Sequence, residues 1–197
     1  MNKNNFPRHT AQRKRFFRLP KSFWGRVSLS GVVLTLVLML GFFGCGTEKD
    51  LPVVASVDLT KYAGKWYEIA SFPQKFQKGC SCTTAEYTLL PNGNVEVKNK
   101  CMKDGKLTGI TGKAFVSGGN NAKLKVQFFW PLRGDYWIID LGTNYEYALV
   151  GHPNRDYLWI LCRTPKMDDA VYAQLVKKAG ELGFDTSRLV KTVQSCN

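Results

Sequence analysis

The stretch that decides the fold of this chain is Gly64-Lys65-Trp66-Tyr67-Glu68-Ile69-Ala70. Its residues alternate as they do in a β-strand, with Trp66 and Glu68 on one face and Tyr67 on the other. Gly64 permits an unusual backbone conformation at the point where the strand begins. The stretch therefore predicts the first strand of a small all-β domain in which Trp66 is buried.

A second stretch of this kind lies near the C-terminus and reads Tyr157-Leu158-Trp159-Ile160-Leu161-Cys162-Arg163-Thr164-Pro165. It is an apolar strand that ends in a single arginine, Arg163. A guanidinium stacked on an indole contributes about 1–2 kcal/mol when the pair is partly desolvated. We therefore expect Arg163 to cover the ring of Trp66 in the folded chain.

Three motifs occur in order along the chain, namely Gly64-Lys65-Trp66, the segment 140–150 with Thr143-Asn144-Tyr145, and the terminal Arg163. Together they resemble the motifs of the lipocalin family, and in particular those of the bacterial outer-membrane lipocalins and their apolipoprotein D relatives. Asn144 stands where the family commonly has aspartate. The resemblance covers residues 57–196. It implies that one end of a β-barrel is closed by Gly64, Trp66, Tyr145 and Arg163.

Short alternating runs follow the first strand and are separated by turn signals such as Asn92-Gly93 and Asp104-Gly105. They cover residues 83–90, 94–100, 108–116, 123–130, 136–141, 145–151 and 157–163. With the strand at Trp66, these runs predict an all-β domain, an eight-stranded antiparallel up-and-down β-barrel. A two-sheet sandwich is the alternative, but the chain shows no long crossover connection.

The spacing of apolar residues changes after Pro165 from that of a strand to that of a helix. Acidic residues stand near the start of this segment and lysines near its end, as the helix dipole favours. A single helix with one apolar stripe has to pack that stripe against the barrel. We therefore predict one C-terminal α-helix on the outside of the barrel, with its stripe formed by Val171, Leu175, Ala179 and Leu182.

The N-terminal residues have the pattern of an export signal. Residues 1–44 contain eight Lys and Arg residues and no acidic residue, and they run into an apolar block at 32–43 that is too short to span a membrane. Phe42-Phe43-Gly44-Cys45 resembles a bacterial lipoprotein cleavage box, although both phenylalanines are bulkier than usual. The pattern predicts a lipoprotein-type signal peptide at 1–44 and acylation of Cys45, and an ordinary cleaved signal is the alternative.

The remaining chain reads as a tether at 45–56 and one lipocalin domain at 57–197. Removing residues 1–44 lowers the formal charge from +13 to +5, because 20 basic residues then face 15 acidic ones. So modest a charge gives no reason to expect nucleic-acid binding. Gly46 follows Cys45 in place of the aspartate that commonly retains lipoproteins at the inner membrane. We therefore expect a lipid anchor in the outer membrane, on its periplasmic face.

Five cysteines follow Cys45, and an exported chain permits disulfides between them. The apolipoprotein D resemblance implies a Cys82–Cys196 bridge, which leaves Cys80 to pair with Cys101. Simple hairpin counting also brings Cys101 near Cys82, so a swapped pairing of Cys82 with Cys101 and Cys80 with Cys196 stays open. In either case Cys162 is left reduced, on the outward face beneath the helix.

The inner face of the barrel should carry the ligand site. Glu68, Trp159 and Leu161 share the inward parity, and Trp159 aligns with a pocket tryptophan of apolipoprotein D. Further candidates for the cavity wall are Phe128, Trp130, Tyr136, Ile138 and Tyr147. No metal site or cofactor is expected, because His9 lies in the signal and His152 stands alone.

The resemblance implies a non-enzymatic protein that binds, stores or transports hydrophobic ligands such as fatty acids and lysophospholipids. One alternative is an enzyme acting on a lipophilic substrate, in which Glu68 would be the acid. Another is a structural envelope lipoprotein whose barrel is filled by its own side chains. An apolar rim at 73–79 and 130–136 would serve either a homodimer contact or membrane docking, and the sequence leaves both open.

Overall fold

The structure is a computed structural model and describes residues 50–196. The predicted signal peptide and the acylation of Cys45 lie outside these residues. The helices are α1 (Leu59–Tyr62) and α2 (Asp169–Glu181), with 3-10 turns at Lys75–Gln77 and Thr186–Arg188. The strands are β1 (Gly64–Ser71), β2 (Cys80–Leu89), β3 (Val95–Lys103), β4 (Lys106–Val116), β5 (Lys123–Gln127), β6 (Gly134–Leu141), β7 (Tyr147–Gly151), β8 (Leu158–Cys162) and β9 (Val190–Lys191).

Strands β1 to β8 form a closed antiparallel barrel in which each strand pairs with its neighbours along the chain. The barrel closes because β1 pairs with both β2 and β8. The register sets Trp66 opposite Ala85 of β2 and Glu68 opposite Leu161 of β8. The predicted eight-stranded up-and-down barrel is therefore confirmed.

A short ninth strand, which the sequence did not predict, extends the sheet at β1. Lys191 and Val190 of β9 pair with Ala70 and Ser71, near the end of β1. Two residues are too few for an alternating pattern to be visible in the sequence. The strand nevertheless brings the C-terminal tail onto the barrel wall.

Helix α2 packs on the outside of the barrel, as predicted. Asp168 caps its N-terminus by accepting hydrogen bonds from two backbone amides. Leu175 and Ala179 are fully buried in a cluster with outward-facing barrel residues such as Ile160. Lys178 adds an ion pair to Asp140 of β6 at 2.6 Å. In the part of the chain that the structure describes, no helix is long and apolar enough to cross a membrane.

Alternation along β8 separates two apolar cores. Leu161 belongs to the cluster inside the barrel, whereas Ile160 and Cys162 belong to the cluster beneath α2. Cys162 is buried there, and among residues 50–196 it is the cysteine without a disulfide. Packing against the barrel begins at Leu51, which is 1 % exposed and lies within the segment read as a tether.

Two disulfides lie toward one end of the barrel. Cys80 is bonded to Cys101, and Cys82 is bonded to Cys196, with Cα–Cα distances of 5.5 and 6.1 Å. This is the pairing that the resemblance implied, rather than the swapped one. The second bridge fastens the C-terminal tail to β2.

The C-terminal tail also completes the seam between β1 and β2. These strands pair from Gly64 to Tyr67, and beyond that point the tail supplies the hydrogen bonds. The amide of Thr192 donates to the carbonyl of Ile69, and the amide of Cys82 donates to the carbonyl of Val193. The tail is therefore part of the barrel wall.

Candidate ligand-binding cavity

One end of the barrel is closed by the predicted pair of Trp66 and Arg163. Trp66 is fully buried, and the guanidinium carbon of Arg163 lies 3.8 Å from the centre of its ring. Burial lowers the pKa of Arg163 from its usual range. The guanidinium donates hydrogen bonds of 2.6–3.2 Å to four backbone carbonyls, those of Lys61, Tyr62, Lys65 and Tyr145.

Gly64 and Tyr145 complete this closed end, as the resemblance implied. Gly64 has a φ of +93°, and a Cβ there would lie 3.4 Å from a guanidinium nitrogen of Arg163. A larger residue would therefore be strained in its backbone and crowd the guanidinium. The Tyr145 hydroxyl accepts a hydrogen bond from the amide of Asp58 at 3.0 Å, which ties the segment before α1 to the loop between β6 and β7.

Three buried tyrosines form a hydrogen-bonded layer next to Trp66. The hydroxyl of Tyr136 lies 2.8 Å from those of both Tyr62 and Tyr87. Burial raises the pKa of Tyr87 to about 12 and that of Tyr62 and Tyr136 well above the usual value. The three side chains are therefore neutral at physiological pH, and they form an uncharged floor.

A cavity of about 440 Å³ lies above this floor and opens at the other end of the barrel. That volume falls within the roughly 300–1,000 Å³ that small-molecule sites usually have. Its wall is mainly apolar. Apolar and aromatic side chains come from the strands and from the loops at the mouth, namely Phe76, Ala85, Tyr87, Val97, Val126, Phe128, Phe129, Leu132, Tyr136, Tyr157, Trp159 and Leu161.

One side of the cavity is polar. Glu68 of β1 is 6 % exposed, and its carboxylate accepts a hydrogen bond from Gln77 Nε2 at 3.0 Å and another from the Thr192 hydroxyl at 2.7 Å. Thr83, Thr84, Gln74 and Asn99 lie in the same wall.

The mouth carries the other charged lining groups. Asp135 Oδ1 accepts a hydrogen bond from Lys125 Nζ at 2.8 Å, and Asp135 Oδ2 lies 3.8 Å from His152 Nε2. The guanidinium of Arg133 stacks over the ring of Phe115.

Within residues 50–196 no group of three or more His, Cys, Asp or Glu side chains is placed to hold a metal ion.

The structure brings five of the eight predicted cavity residues together. They are Glu68, Phe128, Tyr136, Trp159 and Leu161. Phe128 reaches the cavity over Gly112, where a Cβ would lie only 2.6 Å from its ring. These five residues lie on β1, β6 and β8 or directly after β5, at positions where the alternation of the strand holds.

Trp130, Ile138 and Tyr147 do not line the cavity. Strand β5 ends at Gln127, so the alternation does not extend to Trp130, which is 87 % exposed in the following loop. Ile138 does point inward but is fully buried in the packed inner cluster.

Tyr147 lies on the outer face of the barrel, contrary to the prediction. It pairs with Cys162, and residues directly opposite each other in a sheet share a face. Cys162 belongs to the cluster beneath α2, and Tyr147 packs against that cluster. The inner positions of β7 are instead held by Ala148 and Val150.

Several cavity residues were not predicted. Val97 and Asn99 lie on an alternating run that was predicted as a strand, so parity could have indicated them once its inner face was known. Gln74 precedes the 3-10 turn after β1, and Gln77 is the last residue of that turn. No strand pattern covers that loop, so alternation along a strand could not have indicated these two residues.

Comparison with known proteins agrees with this architecture. The family model described as "Lipocalin-like domain" matches residues 57–194. Temperature-induced lipocalin-1 of Arabidopsis thaliana is 44 % identical, over 75 % of this chain and 85 % of the relative. Outer membrane lipoprotein Blc of Vibrio cholerae is 37 % identical over 83 % of this chain and 96 % of the relative. Mouse apolipoprotein D is 39 % identical over 78 % of this chain and 85 % of the relative.

A solved structure supports the fold. Insecticyanin from the tobacco hornworm Manduca sexta superposes with a TM-score of 0.60 at 22 % identity, covering 73 % of this chain and 84 % of that chain. At that identity the likeness concerns the fold alone. The match of the family model and the identity to several relatives go further, and the family is known for binding small hydrophobic ligands. The chain belongs to the lipocalin family.

Proposed function

We propose that this protein is a non-enzymatic carrier that binds, stores or transports single-chain lipids, such as fatty acids and lysophospholipids. The observation that carries the proposal is a cavity of about 440 Å³, walled mainly by apolar side chains, above a packed floor. Transfer of an alkyl chain from water into such a cavity contributes about 0.8 kcal/mol per methylene group. Binding of this kind needs no reaction.

The mouth offers an apolar route into the cavity. Phe76, Phe129 and Leu132 line the cavity and are also 67–72 % exposed to solvent. An alkyl chain that enters between these side chains contacts apolar surface before it leaves water completely.

The cavity also bears on the two alternative functions. A barrel filled by its own side chains would not leave this volume, so the cavity favours a carrier. The Glu68 carboxylate, the candidate acid of an enzyme, accepts hydrogen bonds from Gln77 and from Thr192 in the C-terminal tail. We assign it to holding the tail on the barrel.

The proposed location is the periplasmic face of an outer membrane, with acylated Cys45 as the anchor. It is supported by the relatives that are named outer membrane lipoproteins and by the lipoprotein-like box before Cys45. Incorporation of labelled palmitate into the wild-type chain, and its loss in Cys45→Ser, tests the anchor. Label that persists in the variant would contradict it.

The carrier function is tested by native mass spectrometry of the protein purified from its source. We expect a co-purified lipid on the wild-type protein. Ala85 lines the cavity, so Ala85→Phe should fill part of it and lower lipid affinity by about tenfold or more.

The matched control for this variant is Thr88→Phe, which introduces the same side chain at an exposed position of the same strand. It should leave binding unchanged. Wild-type protein without bound lipid and without affinity for added lipids would contradict the proposal, as would equal affinities of Ala85→Phe and the wild type.

A further inference from the structure

Strand β4 has an uncovered side at the open end of the barrel. On one side, β3 pairs with nine residues of β4 without interruption. On the other side, β5 pairs only with residues 113–116. Within residues 50–196, neither a strand nor a loop pairs with this second side of residues 106–111, here called the free edge. At 3.3 Å per residue, the free edge is about 20 Å long.

The turn at Phe128 takes the chain away from β4. Strand β5 ends at Gln127, and the ring of Phe128 lies over Gly112. A Cβ at Gly112 would lie 2.6 Å from that ring and 2.5 Å from the carbonyl oxygen of Gln127, so this close approach depends on the glycine. Residues 106–111 are left exposed on both faces, with Leu107 at 69 % and Ile110 at 37 %.

The hairpin between β3 and β4 determines which backbone groups point to the free edge. Its turn residues, Asp104 and Gly105, have φ angles of +51° and +72°, as in the type I′ turn of a two-residue hairpin. The residues that flank such a turn bond to each other, and the backbone groups of successive residues then alternate between the two sides of the strand. The residues that direct their N–H and C=O groups to the free edge are therefore Leu107, Gly109 and Thr111.

The free edge lacks the features that usually keep sheet edges from pairing with other chains. Such edges commonly carry charges, prolines or bulges. Here Lys106 and Lys113 stand at the two ends, and the residues between them are uncharged, contain no proline and pair with β3 in an unbroken register. Thr and Ile side chains among them favour an extended backbone. The free edge can therefore form a ladder with another extended segment.

The charges around the free edge favour an acidic partner. Lys103, Lys106 and Lys113 belong to none of the ion pairs among residues 50–196, and Asp104 is the acidic residue of the turn. If two copies of the chain paired by their free edges about a two-fold axis, the lysines at one end of each edge would approach those at the other end of its partner. Like charges so placed are unfavourable, whereas acidic residues at the same places would be attracted.

We propose that the free edge binds an extended segment of another polypeptide, with acidic residues at both of its ends, as an added β-strand. The backbone groups of Leu107, Gly109 and Thr111 supply the hydrogen bonds, and Lys106 and Lys113 attract the acidic ends. None of residues 106–112 lines the cavity, so the added strand and a bound lipid occupy separate sites. This interaction is additional to the proposed carrier function.

Three synthetic peptides test the proposal by fluorescence anisotropy. The first has eight residues, with glutamate at both ends and alternating valine and threonine between them. The second has lysine at both ends, and the third is the glutamate-ended peptide with each valine and threonine N-methylated, so that these amides cannot donate. We expect the first peptide to bind about tenfold or more tightly than either of the others.

A proline variant tests the edge itself. Thr111→Pro removes an N–H group of the free edge that has no partner in the described chain, so the affinity for the glutamate-ended peptide should fall about tenfold or more. The melting temperature and the lipid affinity should stay close to those of the wild type. Thr111→Val is the matched control, because it keeps the N–H group, and it should bind the peptide as the wild type does.

Charge reversal supplies a second test that needs no proline. In the double variant Lys106→Glu and Lys113→Glu, the lysine-ended peptide should bind more tightly than the glutamate-ended one. Binding of none of the peptides to the wild type, equal binding of the first two, or an unchanged affinity in Thr111→Pro would overturn the proposal. A wild-type dimer that Thr111→Pro dissociates in sedimentation experiments would also overturn it, because the free edge would then belong to a second copy of the chain. Lipid binding is measured separately, so each of these results leaves the carrier function standing.

Discussion

The two ends of the barrel differ in how they treat apolar surface. At the closed end Trp66 is fully buried, and Arg163 covers it while donating four hydrogen bonds to backbone carbonyls. At the open end lie the most exposed large apolar side chains of residues 50–196. Their exposed fractions are 67–87 %, and they are Phe76, Leu107, Phe129, Trp130 and Leu132.

This difference separates stability from ligand binding along the barrel axis. The closed end contains the buried contacts that hold β1, β8 and α1 together, so changes there should act mainly on folding. The open end contributes little buried apolar area from its loops, so changes there should act mainly on the ligand. The same kind of substitution at the two ends should therefore have different effects.

The largest difference in stability between the two ends is expected from two tryptophans, Trp66 at the closed end and Trp130 at the open end. Trp66→Ala should lower the free energy of unfolding by about 3–5 kcal/mol, since it leaves a cavity and uncovers Arg163. Trp130→Ala should change it by less than about 0.5 kcal/mol, as is usual for exposed positions. Urea denaturation followed by circular dichroism measures both values.

Trp66→Phe is the second variant in case Trp66→Ala does not fold, and it should lose less stability because the aromatic contact with Arg163 remains. The comparison between the two ends breaks down if Trp66→Phe and Trp130→Ala destabilise the protein equally.

The closed end could be predicted from the sequence, whereas much of the open end could not. Trp66 and Arg163 stand on strands whose alternation is clear, and the family motifs connect them across the chain. The apolar run in the sequence continues past Gln127 and therefore predicts Trp130 in the cavity, but in the structure the strand ends at Gln127. Gln74 lies in a loop, whose side-chain directions depend on backbone angles that no periodicity reveals.

Face assignments failed where the register was unknown. Tyr147 is one residue out of phase with the inner face of β7, and a shift of one residue exchanges the two faces of a strand. Its neighbour Ala148 is small, so the pattern gave no strong indication of which residue is buried inside the barrel. The pairing of Tyr147 with Cys162 settles the face, and that pairing is visible only in three dimensions.

The disulfides give the next largest effect and sharpen the contrast, because both lie toward the open end, where the loops contribute little packing. Replacing Cys82 and Cys196 by alanine should lower the free energy of unfolding by about 2–4 kcal/mol, mainly by releasing the unfolded chain. The Cys80–Cys101 pair closes a much shorter loop, with a sequence separation of 21 against 114, so its removal should cost less. Denaturation of the two double variants measures the difference.

Removal of the Cys82–Cys196 bridge should also affect the cavity, since the tail that it fastens holds Glu68 through Thr192. Lipid affinity should therefore fall in this double variant and remain closer to the wild-type value in the other. Loss of affinity in the Cys80 and Cys101 variant alone would show that the tail is not the part of the wall that matters.

The smallest effect concerns the tyrosine layer between the two ends and is visible only at alkaline pH. Burial raises the pKa of Tyr87 to about 12, so the unfolded chain, whose tyrosines titrate near 10, loses this proton first. The stabilisation is complete below pH 10, and it is lost at about 1.4 kcal/mol per pH unit per tyrosine as the pH rises toward 12. In Tyr87→Phe the free energy of unfolding should decline less steeply over this range. At pH 7 the free energy of unfolding of this variant should be about 1 kcal/mol lower than that of the wild type, because its hydrogen bond to Tyr136 is lost. Urea denaturation at several pH values between 7 and 11 measures how the free energy of unfolding of the wild type and of the variant changes with pH. If the two proteins show the same slope, Tyr87 is not desolvated in the folded barrel and the floor admits water.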